Sequence, residues 1–171
     1  MTEQNPLQKY YRQPAIYIKL PSKGRFYSPE VFEPTTSGEI PILPMTAKDE
    51  LHFKTPDAMM NGQATVDVIK SCVPNIKDPW HVVNYDIDTI LLAIRIATYG
   101  ETMDLKYNVP ITGEQNEHTL NLPALLEDLS RVDIKDQATT SKGFTIVMEP
   151  LNYQKLTKVY LANYEAQKMY G

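Results

Sequence analysis

The sequence contains very little cysteine and no long apolar run. Its one cysteine, Cys72, can form no disulfide within the chain, which is typical of a protein kept in a reducing compartment. A membrane-spanning helix needs about 20 apolar residues. The longest apolar stretch, "IDTILLAIRIA", is much shorter and contains Arg95. The beginning of the sequence has no apolar core of signal-peptide length. We therefore expect a soluble intracellular protein without a membrane span.

Motifs for catalysis, cofactors and metals are also missing. The chain contains no G-x-S-x-G, P-loop or G-x-G-x-x-G motif. His52, His81 and His118 each stand without a second ligand close in sequence, whereas zinc commonly takes ligands in paired spacings. Cys72 lies on the apolar face of its segment, where a thiol is buried and inert. We predict no enzyme activity, no cofactor and no metal. A small intracellular hydrolase using Cys72 or His81 stays open as an alternative.

The net charge argues against nucleic acid as a partner, and the amino-acid composition indicates protein interfaces. The net charge of −4 makes nucleic acid an unsuitable partner. The 171 residues, 42% hydrophobic and 22% charged, suit one globular domain. Proline is frequent at 13 residues and tyrosine at 11. Tyrosine joins apolar area to a polar tip and suits protein interfaces, although half-buried surface positions would use it as well.

The N-terminal part predicts an arm, two short strands and a short helix. Residues 1–14 are polar and without a period, which indicates a flexible N-terminal arm. Apolar and polar residues alternate from Ile16, as in a strand. A second strand is expected at Ile40–Leu43, and its flanking prolines place it at a sheet edge. Thr46 and Asp49 have nearly the spacing of a capping box, which predicts the start of a helix.

Helical patterns dominate the middle of the chain. Thr55 and Pro56 predict a helical turn that ends at Gly62, and "QATVDVIKSCV" has apolar residues at helical spacing. The strongest helix is "YDIDTILLAIRIATYG", with Asp86 as its expected N-cap. It is apolar around most of its circumference, which predicts burial on more than one side. Arg95 inside it needs a carboxylate, carbonyls or solvent, so structural pairing and contact with another chain both stay open.

A β-hairpin is predicted over residues 102–122. Apolar residues alternate with polar ones from Met103 to Ile111, which indicates a half-buried strand. Gly113 lies in the following turn, where a positive φ is favourable for glycine. The strand "EHTLNL" then returns.

The last third predicts a short helix from Pro123, a strand in "GFTIVMEPL" and a C-terminal helix over residues 152–170. Within that helix we expect Leu156 and Val159 to pack on the protein's own core and the last turn to meet a partner. The order of elements predicts an α+β fold, with one domain over residues 15–171.

Four ordered segments of this sequence resemble a known family. They are "IKLPSKGRFY", "GEIPILPMTAKDE", "KTPDAMMNGQATVDVIKSCVPNI" and "DIDTILLAIRIATYGETM". Together they resemble the small baseplate hub proteins of T4-type contractile-tailed bacteriophages, including hub assembly subunits. The resemblance extends from about Ile16 to Leu122 and, more weakly, over "EPLNYQKL".

The resemblance implies a structural or assembly role in the virion and no catalytic residue. Similar proteins carry a C-P-x-C-G-type metal knuckle after the "ATYG" segment. Here Asn108 and Ile111 stand where thiols would be, while Pro110 and Gly113 keep the turn, so we predict a hairpin without zinc. The implied partners are other hub subunits and the tape-measure or central spike proteins, in a hetero-oligomeric assembly. The implied locations are the host cytoplasm during assembly and the tail baseplate of the virion.

The resemblance also gives provisional roles to motif residues. Leu20, Pro21, Gly24 and Tyr27 would form the N-terminal turn; Met45, Thr46, Asp49 and Glu50 would begin the first helix; Arg95, Tyr99 and Gly100 would close the central helix onto the hairpin. The candidate partner-binding residues are Arg95, Tyr99, Tyr27, Tyr160 and Tyr164. A chaperone for the tape-measure or hub proteins, absent from the finished particle, is the alternative role.

Overall fold

A computed structural model describes residues 11–54, 61–110, 113–132 and 134–170. Within these residues the chain forms five α-helices, one 3-10 helix and six short strands. The strands are β1 (Ile16–Ile18), β2 (Ile40–Ile42), β3 (Thr102–Asn108), β4 (Gln115–Asn121), β5 (Gln137–Thr139) and β6 (Thr145–Val147). The helices are α1 (Ala47–His52), α2 (Gln63–Cys72), α3 (Asn84–Tyr99), α4 (Leu122–Ser130) and α5 (Tyr153–Tyr170), and the 3-10 helix is Pro79–His81. The predicted α+β class is confirmed.

The strands form three separate two-stranded antiparallel sheets, β1–β2, β3–β4 and β5–β6. Only β1–β2 contributes to the core. Ile16 pairs with Ile42 and Ile18 with Ile40, so these apolar side chains share one face of the sheet. That face packs on α3.

Helix α3 lies at the centre of the fold and contacts α2, α4, α5, β1 and β2. Ile90, Ala93 and Ile94 are at most 2% exposed. Ile87, on the same side as Ile90 and Ile94, and Ile96, on another side of the helix, are buried too. Full burial of each large aliphatic side chain contributes about 1.5–3 kcal/mol. The predicted burial of this helix on more than one side is confirmed.

One helix start differs from the sequence prediction. Helix α3 begins at Asn84 after Val83, whose side chain makes no capping hydrogen bond, so the prediction of Asp86 as N-cap is wrong. Gly62 precedes α2 as its N-cap, with φ +80°. The expected helical turn at Thr55 and Pro56 lies outside the described residues.

The capping box of α1 is confirmed. The Thr46 side chain accepts a hydrogen bond from the Asp49 N–H, and the Asp49 side chain accepts one from the Thr46 N–H. These two bonds satisfy N–H groups that the first turn of a helix leaves free. The local sequence therefore determines where this short helix begins.

The predicted β3–β4 hairpin is present, but its strands are not half-buried as predicted. Leu105 pairs with His118 and Tyr107 with Asn116, and Gly113 has φ +70° in the turn. Yet Leu105 is 41% and Tyr107 51% exposed. The prediction of a half-buried strand is wrong there, because β3 and β4 pair only with each other and most of the hairpin projects beyond the body.

Helix α5 is attached to the body by its first turns only. The Tyr153 ring stacks on Trp80 at a centroid distance of 5.8 Å, and Thr157 is buried. Residues 162–169 are all exposed. The predicted core position of Val159 is wrong, since this side chain is 48% exposed on the far side of the helix from Thr157.

Candidate interaction surfaces

The N-terminal turn is fastened to α3 by a buried carboxylate. Asp86 accepts hydrogen bonds from the Ser22 N–H at 2.9 Å, the Ser22 hydroxyl at 2.5 Å and the Tyr27 hydroxyl at 2.5 Å. Tyr27 in turn accepts from the Val83 N–H at 3.2 Å. Burial raises the pKa of Asp86, although the donors from Ser22 and Tyr27 act in the opposite direction. Tyr27 therefore has an internal structural partner.

The start of the described chain is anchored by Arg12. Its Nη1 donates to Asp49 at 3.2 Å and to the Pro44 carbonyl at 2.9 Å, and its Nη2 contacts the Ser71 carbonyl. Burial alone would raise the pKa of Asp49, but hydrogen bonds from Thr46 and Ser71 and the charge of Arg12 hold it below its ordinary value. The end of the predicted arm is thus bound to α1 and α2, and residues 1–10 lie outside the described part.

Arg95 and Tyr99 form one unit at the end of α3. The Arg95 guanidinium lies 4.6 Å from the centroid of the Tyr99 ring, a cation–π distance. The Tyr99 hydroxyl donates to Glu50 Oε1 at 2.9 Å, and this bond raises the pKa of Tyr99. Within the described residues the buried Nη1 of Arg95 has no hydrogen-bond partner. The Tyr99 side chain is 53% exposed, so an incoming surface can reach it.

Tyr160 and Tyr164 lie on α5 beyond its attachment to the body. They are 64% and 52% exposed. A spacing of four residues places them on one side of the helix, the side that also carries Tyr153 and Thr157. The face that holds the helix to the body therefore continues outward as an accessible pair of tyrosines.

The five predicted partner-binding residues do not form one site. Arg95 and Tyr99 are together, and Tyr160 and Tyr164 are together. Tyr27 binds Asp86 at the opposite end of α3 from Tyr99, about 20 Å away at 1.5 Å of rise per helical residue.

An additional apolar surface, not predicted from the sequence, lies on β5–β6. Phe144 is 69% exposed, Ile146 51%, Val147 72% and Met148 45%. The signal was present in the alternation of "GFTIVM", which places three of these side chains on one strand face. Sequence alone predicted the strand without its exposure, because period two does not tell whether the apolar face is covered.

Buried and exposed residues are unevenly distributed along the chain. Within the described part, Leu122 and Thr157 are the buried residues after Gly100, whereas most exposed large apolar side chains come after it. The body before Gly100 holds the core, and the C-terminal part projects apolar surface to the outside.

A family model described as T4 bacteriophage base plate protein matches residues 14–169. The chain belongs to this baseplate family. A search of curated proteins and a search of solved structures found no match. The resemblance seen in the separate sequence segments thus extends over nearly the whole chain, including the projecting hairpins and α5.

Family membership supports a structural role in the phage baseplate for this protein, and its polar clusters agree with such a role. Burial raises the pKa of the Cys72 thiol to about 11, which keeps it protonated at neutral pH. The Nδ1 atom of His52 lies 3.1 Å from Asp67 Oδ2, and the Nδ1 atom of His81 lies 2.6 Å from Asp78 Oδ2. Each of these two histidines therefore has a carboxylate partner.

The described part of this baseplate protein contains neither a cluster of metal-ligand side chains nor a helix suited to a membrane. Across the described ranges, no three His, Cys, Asp or Glu side chains come together as a metal site would require. In the same ranges, no helix is long and apolar enough to cross a membrane. At the hairpin tip the Val109 N–H donates to the Glu114 carbonyl at 2.9 Å, and the Gly113 N–H donates to the Val109 carbonyl at 2.8 Å, so backbone bonds help to close the turn.

Proposed function

We propose that this baseplate protein is a component of the tail hub, or a factor in its assembly, and that it acts by binding other subunits rather than by catalysis. The observation that carries the proposal is the contrast between a body with a core and a C-terminal part without one. An exposed apolar surface of this extent is typical of an interaction site. The partners would be other hub subunits and the tape-measure or central spike proteins.

Two of the predicted surfaces are the best candidates for these contacts. Arg95 and Tyr99 offer an aromatic ring with a cation above it, and Tyr160 and Tyr164 offer two large side chains on one helix face. Tyr and Arg are the residues that most often dominate binding energy in interfaces. Tyr27 would support this function indirectly, by holding the N-terminal turn in place.

Co-expression with the hub and tape-measure subunits of the same genome tests the proposal. We expect a co-complex of defined stoichiometry by native mass spectrometry. The double substitution Tyr160→Lys, Tyr164→Lys should weaken the complex at least tenfold, because it replaces aromatic contact area with charge. Tyr17→Lys is the matched control, since Tyr17 is 62% exposed on β1 in the body. A chain that stays monomeric with every one of these subunits would contradict the proposal.

Mass spectrometry of purified virions then separates the two versions of this function. A hub component is present in the finished tail at constant stoichiometry. A chaperone acts in the host cytoplasm, binds the same subunits during co-expression and is absent from the particle. The family's structural role favours the first version.

A further inference from the structure

Among the described strands, none pairs with the outer edge of β6, which is open to a further strand. The Met148 N–H donates to the Asp136 carbonyl at 2.7 Å, and the Thr140 N–H donates to the Phe144 carbonyl at 2.9 Å. In an antiparallel pair, residues bonded to the neighbour alternate with residues whose N–H and C=O point away. Because Phe144 and Met148 are bonded to the β5 side, Thr145 and Val147 direct their backbone groups outward.

The side chains of this strand suit burial better than exposure. Phe144, Ile146 and Met148 share one face, and no residue from Gly143 to Met148 is charged. Open edges of this kind are normally protected by charge, proline or a covering segment. A two-stranded sheet is also only marginally stable by itself and gains from additional strands.

We propose that β6 pairs with β6 of a second copy of this chain, antiparallel, about a two-fold axis at Ile146. The two hairpins then form one four-stranded sheet. Thr145 of each copy exchanges backbone hydrogen bonds with Val147 of the other. Ile146 lies opposite Ile146 of the second copy, and Phe144 lies opposite Met148 of the second copy.

Two features together select this register: the alternating direction of the backbone hydrogen-bonding groups along β6, and the chemistry of its side chains. The outward groups of Thr145 and Val147 allow symmetric pairing centred on residue 145, 146 or 147. Centring on Thr145 places Met148 opposite Lys142 of the second copy, and centring on Val147 places Phe144 opposite Pro150. Only centring on Ile146 pairs every large apolar residue of this face with another, including an aromatic ring with a thioether, which attract each other.

The charges around β6 favour a second copy as its occupant. Each chain carries a net charge of −4, yet the paired segment itself is uncharged, so two copies meet there without direct repulsion. Glu149 of one copy falls opposite Gly143 of the other, next to Lys142, so the flanking charges are of opposite sign. The contact is smaller than the roughly 1,000 Å² of a stable interface, so we expect a weak dimer that is favoured by the high local concentration of a baseplate.

Disulfide trapping with Ile146→Cys tests the pairing and its register together. A directly opposed, non-hydrogen-bonded pair has its Cα atoms about 4.5 Å apart, within the 4.4–6.8 Å range of disulfides. Mild oxidation of the full chain at micromolar concentration should give a covalent dimer on a non-reducing gel. The native Cys72 is 0% exposed and should not compete.

Val147→Cys is the matched control. Its side chain is more exposed than that of Ile146, but the two copies of residue 147 are diagonal neighbours, about 7–8 Å apart. It should cross-link at least tenfold more slowly. Equal or faster cross-linking of Val147→Cys, or no dimer from Ile146→Cys, would overturn the proposal.

Sedimentation of the chain without engineered cysteine supplies a second measurement. The weight-average mass should rise with concentration, and Ile146→Glu should return it to the monomer value, because the substitution places two carboxylates face to face. Tyr107→Glu on β3–β4 should leave the association unchanged. Either a constant monomer mass for the natural sequence or equal effects of both substitutions would refute the pairing. These measurements use the isolated chain and are independent of hub binding.

Discussion

Asp86 is fully buried and holds the N-terminal turn against α3, so its replacement should destabilise the whole body. Its carboxylate accepts from the N–H and hydroxyl of Ser22 and from the hydroxyl of Tyr27. Ser22 is itself fully buried. Water therefore cannot replace the carboxylate without opening this part of the structure.

Two substitutions separate the hydrogen bonding of Asp86 from its charge. Asp86→Ala leaves buried donors without an acceptor, at about 1–3 kcal/mol for each unsatisfied group. The Ser22 and Tyr27 hydroxyls can partly satisfy each other, so we expect a loss of about 3–5 kcal/mol. Asp86→Asn keeps an oxygen for the Ser22 N–H, and its NH₂ group can donate to the hydroxyls. Its cost should stay below about 1.5 kcal/mol.

The effect of Asp86→Asn should also depend on pH. Burial raises the pKa of Asp86 above its ordinary value of 3.8. A carboxyl with a raised pKa in the folded state contributes stability below its unfolded pKa, and this contribution is lost as the pH rises through the folded pKa. Asparagine does not titrate. The asparagine variant should therefore compare more favourably with the natural protein at pH 7 than at pH 3.

Urea unfolding followed by fluorescence and circular dichroism measures both effects. The one tryptophan, Trp80, contacts Tyr153 and reports the attachment of α5 to the body. Unfolding free energies should fall in the order natural protein, Asp86→Asn, Asp86→Ala at pH 7. A loss below about 1 kcal/mol for alanine, or equal losses for alanine and asparagine, would refute the role assigned to this carboxylate.

Three further substitutions or treatments test other contacts. Gly62→Ala should lower the free energy of unfolding by about 1–3 kcal/mol, because Gly62 has φ +80° and an added Cβ would lie 3.1 Å from Thr157 Oγ1. Thermal unfolding measures this loss of stability, and faster proteolysis within α5 would show that the helix has detached from the body. Arg95→Glu should lower the free energy of unfolding by about 1–2 kcal/mol, because it removes the cation from the Tyr99 ring. Urea unfolding of this variant, compared with Tyr99→Leu, measures the effect. Normal stability together with normal particle yield would contradict both the structural and the assembly role of Arg95. Iodoacetamide at pH 8 should leave Cys72 of the native protein unmodified for hours and label it fully in urea, as mass spectrometry would show. Rapid labelling of the native protein would support the alternative of a hydrolase that uses Cys72.

Local physics explains the elements that the sequence predicted correctly. Thr46 and Asp49 form their capping box because both bonds join residues three positions apart. The apolar circumference of α3 predicted a buried central helix. Gly113 takes the positive φ of its turn because glycine lacks the Cβ that disfavours this conformation. Each of these features depends on residues within one or two turns of the chain.

The sequence by itself determined the α+β class, the central helix and the family, because periodicity, capping and ordered motifs are local properties. Only the tertiary structure decided which faces are covered. Asp86 accepts a hydrogen bond from Ser22, which lies 64 positions away in the sequence. The sequence pattern around Asp86 suggested a helix cap and gave no sign of this long-range hydrogen bond. Leu105 and Ile146 lie in equally regular alternating strands, yet both stay exposed, because burial requires a second surface, and alternation along a strand does not encode where that surface is.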